Sequence, residues 1–172
     1  MRSVGIKYGL ICGLVYIIFS MGNILIGAQT QGNPVLGILL GLAMLLATFF
    51  VIFYGVKEFR DNVNGGAVSI GQAVKLGALI ALIASLLTVA FNMLYNYVID
   101  PGFFDRMVEQ TRETYEERGM TDEQIDQAMR MMEMFRNPVI ATGFTIVWYS
   151  LWGLVKGLIS GAILKKDPVP TA

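Results

Sequence analysis

Residues 35–56 read VLGILLGLAMLLATFFVIFYGV, a run of uncharged and mostly apolar side chains. A helix of about 20 such residues crosses the hydrocarbon core of a bilayer, which is about 30 Å thick. Three further stretches are also mostly apolar and contain no Asp or Glu: Val4–Ala28, Ile70–Ile99 and Val139–Leu164. The sequence therefore predicts an all-α integral membrane protein whose four transmembrane helices, the stretch Val35–Val56 among them, form two antiparallel hairpins.

The composition fits one membrane domain and excludes several kinds of site. The chain has 172 residues, 55% of them hydrophobic, which is too apolar for a soluble domain, so residues 1–172 are predicted to form a single membrane domain. It contains no histidine, which excludes imidazole acid–base catalysis. The single cysteine, Cys12, rules out an internal disulfide and is expected to pack rather than react. We expect no enzyme activity, no cofactor, no metal and no nucleic-acid partner.

The charged residues are segregated along the chain, although the net charge is zero. Outside residues 100–137 the chain carries eight basic residues against three acids. Short loops that carry basic residues stay on the cytoplasmic side of the membrane. Both termini and the Lys57–Ser69 loop are therefore predicted inside the cell, and Gln29–Asn33 and Asp100–Asn137 outside. Arg2 and Lys7, at the start of the first span, resemble the basic region of a signal peptide, but the apolar run exceeds the about 7–15 residues of a signal core. We therefore expect a retained span.

The segment Asp100–Asn137, between spans three and four, is predicted to form an amphipathic helical hairpin on the extracytoplasmic side. Asp100-Pro101 is placed to open its first helix, and Gly119 is placed to end it. Thr121 and Gln124 have the spacing of a capping box, so the second helix is expected to start at the residue after Thr121.

Apolar residues recur at helical spacing in this hairpin, and methionine is frequent there. Thioethers make a flexible contact surface, and they also bind Cu(I), but packing explains the spacing more simply. The candidate interaction face consists of Phe104, Met107, Met131 and Met134. Acids at four-residue spacing are expected to form a solvated face, although a divalent cation or a basic partner would relieve their repulsion. These acids are Asp105, Glu109, Glu113 and Glu117.

Glycine recurs every fourth residue in three of the spans. Such rows let helix backbones approach closely, which matters in lipid because apolar contact alone does not drive association there. We expect spans one and four to pack against each other through their rows, and the alternative is that one row forms a dimer interface. The predicted helix-packing residues are Gly5, Gly9, Gly13, Gly37, Gly41, Gly153, Gly157 and Gly161.

A few polar residues interrupt the spans. The candidate polar stripe consists of Asn23, Asn92, Asn96 and Asp100. These side chains are expected to bond between helices or to emerge into the headgroups, and the alternative is a polar vestibule open to the outside. Lys156 is the deepest charge, and we expect its long side chain to reach the membrane interface.

Three stretches carry a family resemblance: residues 55–61 (GVKEFRD), 69–73 (SIGQA) and 95–101 (YNYVIDP). With the opening Lys7-Tyr8-Gly9 they resemble the domain-of-unknown-function family 4199, small four-span membrane proteins found mainly in Bacteroidota. The resemblance covers essentially the whole chain. It implies a bacterial cytoplasmic (inner) membrane location, and it implies no activity and no catalytic residues.

Taken together, these features favour a non-enzymatic membrane protein whose outer hairpin contacts a partner or the membrane surface. The expected partners are the lipid bilayer and either a second copy of the chain or another membrane protein. The second hypothesis is an oligomeric small-solute transporter or channel component, since four spans are few for a pathway within one chain.

Cysteine labelling tests the predicted orientation. Asn64→Cys and Gly119→Cys, each in a Cys12→Ser background, are expected to react with a membrane-impermeant maleimide from opposite sides, with Gly119→Cys labelled from outside. The physical reason is that Lys57, Arg60 and Lys75 flank Asn64, whereas acids are in excess around Gly119. Labelling of both positions from the same side would contradict the charge argument.

Overall fold

The computed structural model describes residues 1–27 and 34–166, which form six α-helices. They are α1 (Arg2–Gly27), α2 (Pro34–Glu58), α3 (Ile70–Leu94), α4 (Phe103–Glu117), α5 (Asp122–Met134) and α6 (Pro138–Leu164). Within these residues the β-type pairing is a single antiparallel bridge between Val68 and Lys166. The predicted outer loop Gln29–Asn33 lies outside the described residues.

Four of the helices, α1, α2, α3 and α6, are long and apolar enough to cross a membrane. Large apolar side chains stay exposed along them: Ile38 is 63% exposed, Phe50 50% and Trp148 48%. A soluble monomer rarely leaves so many contiguous apolar side chains in water. The outward surface of these helices is therefore suited to lipid.

The chain divides into two compact units. Unit 1 comprises Met1–Thr88 and Ile146–Ala172, and unit 2 comprises Val89–Thr145. Unit 1 contains α1, α2 and most of α3 and α6, whereas unit 2 contains α4 and α5 with the adjoining ends of α3 and α6.

The glycine row of α1 forms a groove for large side chains of α3. A Cβ placed on Gly9 would lie 2.6 Å from Cβ of Ile83, and one placed on Gly13 would lie 2.8 Å from Cδ2 of Leu87. A Cβ on Gly5 would likewise meet the Leu79 side chain. The absence of side chains along this row therefore makes room for Leu79, Ile83 and Leu87.

The glycine row of α6 meets a different surface of α3, made of small residues. A Cβ placed on Gly77 would lie 2.5 Å from the carbonyl oxygen of Gly153 and 2.8 Å from Cα of Gly157. The small residues of α3 recur every fourth position and are all buried: Ala73, Gly77, Ala81 and Ser85. Here the two helix backbones are in contact.

The prediction that spans one and four pack against each other through their glycine rows is therefore wrong, because each row lies against α3. Gly37 and Gly41 are exposed, and no heavy atom lies within 4 Å of a Cβ built on either. Neither one packs against another helix in the part of the chain that the structure describes. The row of small residues on α3 is the sequence signal that was missed.

Both α2 and α3 continue into a π-helical turn, at Phe59–Val63 and Tyr95–Ile99. Backbone hydrogen bonds that span five residues close these turns, donated by the N–H groups of Asn64 (2.9 Å) and Asp100 (2.8 Å). Such wide turns often occur at functional positions. Both overlap stretches that carry the family resemblance.

Side chains cap the starts of α3 and α5. Gln72 N–H donates to Ser69 Oγ at 3.2 Å, and Ser69 N–H donates to Gln72 Oε1 at 2.9 Å. The same exchange joins Thr121 and Gln124, at 3.4 and 3.1 Å, which confirms the predicted start of α5. Gly119 has φ +70°, as a helix-ending glycine requires.

The start of α4 differs from the prediction. The helix begins at Phe103 rather than at Pro101, and no side chain caps it. The Asp100 carboxylate instead forms an ion pair with Arg106, while the Asp100 carbonyl accepts a hydrogen bond from Phe103 N–H at 3.0 Å. Competition from Arg106 thus removes Asp100 from its expected capping role.

Substitution of the glycines tests this packing. Gly9→Leu and Gly157→Leu are each expected to lower the free energy of unfolding by about 1–3 kcal/mol, because the new side chain must displace α3. Gly37→Leu is the matched control and should have little effect, since its Cβ meets no atom.

Because Gly9 and Gly157 contact different residues of α3, the effects of the double substitution should add. Steric trapping in bicelles, or unfolding in detergent, measures these differences. Small, equal effects at all three positions would show that the rows do not carry the helix contacts.

Candidate functional site

Helices α4 and α5 of unit 2 lie antiparallel and are joined by ion pairs. Nη2 of Arg136 lies 2.7 Å from Oδ1 of Asp105, which links the end of α5 to the start of α4. Nη2 of Arg112 lies 3.8 Å from Oδ1 of Asp126, nearer the other end of the pair. Ion pairs thus connect the two helices near both ends of the pair.

Arg136 is the most connected charged residue of unit 2. It binds Glu133 through two nitrogens, at 2.7 Å (Nε) and 3.0 Å (Nη2), in addition to Asp105. Its Cζ lies 4.8 Å from the centre of the Phe104 ring. The hydrogen bonds that Arg136 donates to Glu133 and Asp105 raise the pKa of Arg136. The bond to Arg136 lowers the pKa of Glu133. The Arg136 guanidinium thus has two carboxylate partners.

A cavity of about 160 Å³ lies within unit 2. The end of α3, the start of α4, the segment after α5 and the start of α6 supply its walls. Polar groups and aromatic carbon face the same space, including Asn92, Asn96, Phe104, Arg136, Thr142 and Thr145. Sequence reasoning did not identify Arg136, although a glutamate three residues earlier signals a helix-end ion pair.

The structure separates the predicted polar stripe. Asn92 and Asn96 line the cavity, and Nδ2 of Asn96 donates to the Asn92 carbonyl at 2.8 Å. Asp100 does not line it and pairs with Arg106. The π-helical turn between Asn96 and Asp100 breaks the four-residue register, so equal spacing no longer means a shared face. Asn23 belongs to unit 1, where it is exposed on α1.

The predicted interaction face also divides. Phe104 and Met107 are half-buried, whereas Met131 and Met134 are 60% and 57% exposed. The buried side of α5 is represented by Ile125, which is 2% exposed. Met131 and Met134 are thus the members of this face that remain available for contact.

The acids of α4 and α5 do not gather around a common point. Asp105 and Glu133 bind Arg136, and Asp126 pairs with Arg112. Across residues 1–27 and 34–166, no group of three or more His, Cys, Asp or Glu side chains is placed to hold a metal ion.

A second polar group lies inside unit 1, around Lys156. The residue is only 6% exposed, and its Nζ donates to Oγ1 of Thr48 at 2.5 Å. The same Nζ lies 5.9 Å from the centre of the Tyr16 ring, which stacks on Tyr149 with ring centres 4.3 Å apart. The prediction that Lys156 reaches the membrane interface is therefore wrong: a hydroxyl acceptor on α2 draws the amine inward.

The surroundings of Lys156 supply few acceptors. Thr48 Oγ1 is its one hydrogen-bond partner among the described residues, and that hydroxyl donates in turn to the Met44 carbonyl at 2.8 Å. Ser160, four residues farther along α6, is buried, and its Oγ has no partner in the described part of the chain. Ionisable groups within membrane helices are costly, and where they persist they commonly serve function.

Two stretches of the family resemblance meet at one end of unit 1. Nζ of Lys7 lies 2.7 Å from Oε2 of Glu58, and the Tyr8 hydroxyl donates to the same oxygen at 3.0 Å. Nη1 of Arg60 donates to the carbonyl of Leu164 at 3.4 Å. These bonds connect the start of α1 and the end of α6 to the end of α2, so the residues hold the fold together at this end.

Removing the partner of Lys156 tests the buried group. Thr48→Val should lower the free energy of unfolding by about 1–3 kcal/mol, because it leaves a buried donor without an acceptor. Adding Lys156→Met to Thr48→Val should recover part of that loss, since the buried amine that lost its acceptor is then removed. Lys75→Met, at an exposed lysine, is the control.

Unfolding in detergent provides the measurement. A double variant no more stable than Thr48→Val alone would show that loss of the Thr48–Lys156 hydrogen bond does not cause the destabilisation by Thr48→Val.

A family model described as "Protein of unknown function (DUF4199)" matches residues 7–166. Neither a curated protein nor a solved structure matches the chain. The matched region includes the Lys7–Glu58 ion pair, the capping box at Ser69 and the wall of the unit 2 cavity. This protein belongs to the DUF4199 family.

Proposed function

We propose that this protein is a non-enzymatic bacterial inner-membrane protein whose outer α4–α5 pair binds a partner protein. Four helices suited to crossing a bilayer, with exposed apolar side chains, support membrane insertion. The basic residues near both termini and in the Lys57–Ser69 loop support a cytoplasmic location for those segments. The bridge between Val68 and Lys166 is consistent with a shared side for that loop and the end of α6.

The observation that carries the proposal is the exposed pair Met131 and Met134. They lie three residues apart on α5, so they share one face of the helix. Around them the segment of residues 100–137 carries ten acids against five bases. Flexible apolar side chains surrounded by charge are typical of protein contact surfaces, where an apolar centre is ringed by polar residues.

Charge favours a protein over the lipid surface as the occupant of this face. The segment has an excess of five acids (ten minus five). Anionic lipids repel such a segment, whereas a partner with basic residues around an apolar pocket complements it. We therefore infer that the partner is another membrane-associated protein, with a basic outer surface.

Photocrosslinking in the native host tests this proposal. A photoreactive amino acid at Met131 or Met134 should give a discrete protein adduct. The matched control is Asp122, which lies nine residues before Met131 and hence about half a turn away around α5. The control should give no such adduct.

Lipid adducts at Met131 and Met134 would instead support contact with the membrane surface and exclude the protein partner. Equal protein adducts at Asp122 and Met131 would contradict a specific face. Identification of the adduct by mass spectrometry separates a second copy of the chain from another protein.

The second candidate function is an oligomeric small-solute transporter or channel component. The observation that favours it is Lys156, an ionisable side chain buried among membrane-type helices with a single hydroxyl partner in the described structure. Flux assays in liposomes over common ions and amino acids discriminate between the two functions. A zero result across that panel, with insertion verified, would remove the transporter hypothesis.

A further inference from the structure

We propose that the unit 2 cavity is a binding site for a small, uncharged amphipathic molecule. The inference rests on the size, charge and hydrogen bonding of the cavity wall, and it holds whether or not the α4–α5 pair binds a partner protein. Part of that wall, Asn96, Tyr97 and Pro101, comes from the stretch of residues 95–101 that carries the family resemblance.

The volume of the pocket, which is half-open, suits a ligand of roughly one ring. The cavity measures about 160 Å³. An apolar cavity of about 150 Å³ in another protein holds benzene, so a ligand of about six to eight non-hydrogen atoms fits this space. Phe104, Val89 and Met93 supply apolar surface for its body.

Charge limits the ligand to a neutral molecule. Arg136 is the charged residue among the described residues of the wall. Asp105 and Glu133 already compensate it, each at 2.7 Å. An anionic ligand would add repulsion from these two carboxylates, and a cationic ligand would meet the guanidinium, so a neutral ligand is the favoured occupant.

Hydrogen bonding places the polar end of the ligand beside Asn92. The amide nitrogen of Asn96 is bonded to the Asn92 carbonyl, and the Thr145 hydroxyl donates to the Ala141 carbonyl at 2.8 Å. The Asn92 carboxamide, in contrast, makes no hydrogen bond with any residue that the structure describes. It therefore offers both a donor and an acceptor to a hydroxyl or amide group on the ligand.

Fluorine NMR with 4-fluorophenol as the probe tests the site. The full-length protein is placed in nanodiscs of zwitterionic lipid, and saturable binding is compared with that of fluorobenzene and 4-fluorobenzoate. We expect 4-fluorophenol to bind best, fluorobenzene more weakly and 4-fluorobenzoate not measurably. Empty nanodiscs correct for partition into lipid.

Two substitutions separate the contributions of space and hydrogen bonding. Ala141→Leu fills part of the cavity and should lower the affinity for 4-fluorophenol at least about tenfold. Asn92→Leu should lower the affinity for 4-fluorophenol about fivefold to tenfold, because the hydrogen bond is lost. The affinity for fluorobenzene, which makes no such bond, should stay unchanged. Val139→Leu is the matched control on the same helix, since Val139 is 77% exposed.

The unfolding midpoint of each variant shows whether it is folded, and Ala141→Val replaces Ala141→Leu if the larger side chain prevents folding. Equal 4-fluorophenol affinity in wild type and the Ala141 variant would overturn the proposal. So would a signal no stronger than that of empty nanodiscs, which is the result expected if a lipid chain already fills the cavity. An unchanged affinity in Asn92→Leu would overturn the assignment of the polar end.

Discussion

The backbones of α3 and α6 approach each other so closely at Gly77 that a Cβ there would lie 2.5 Å from the Gly153 carbonyl oxygen. In lipid, burying apolar side chains provides little drive for helix association, so close contact of this kind must supply much of it. The remaining contacts of unit 1 follow from this approach. With one surface of α3 occupied by α6, the large side chains of a different surface, Ile83 and Leu87, enter the glycine groove of α1.

The position of Lys156 is a consequence of that approach. Its neighbours on α6, Gly153 and Gly157, lie against α3 and determine how α6 is rotated. In this rotation Lys156 meets Thr48 of α2 inside unit 1 instead of reaching water. A buried amine with one hydroxyl partner is expensive to maintain, and a methionine of similar length would pack at lower cost. The choice of lysine here is the part of unit 1 that packing alone does not explain.

Unit 2 contains a different kind of contact between its helices. Ion pairs and a cation–π contact at Arg136 connect α4 to α5, and the cavity lies beside this charged group. Arg136 lines the pocket as a guanidinium that is already paired with two carboxylates outside the wall. The exposed Met131 and Met134 are separate from that wall, so unit 2 presents two distinct features, a half-open pocket and an exposed apolar pair.

Several features could be predicted from the sequence because they depend on residues close together along the chain. Length and hydropathy identified the four candidate spans, the Thr121–Gln124 pair identified the start of α5, and four-residue spacing identified glycine rows. Spacing shows which residues share a helix face, but it does not show which helix that face meets. Only the tertiary structure placed both glycine rows on α3, turned Lys156 toward Thr48 and formed the cavity around Asn92. Those outcomes depend on helix rotation, on a π-helical turn that shifts the register, and on contacts between residues distant in sequence.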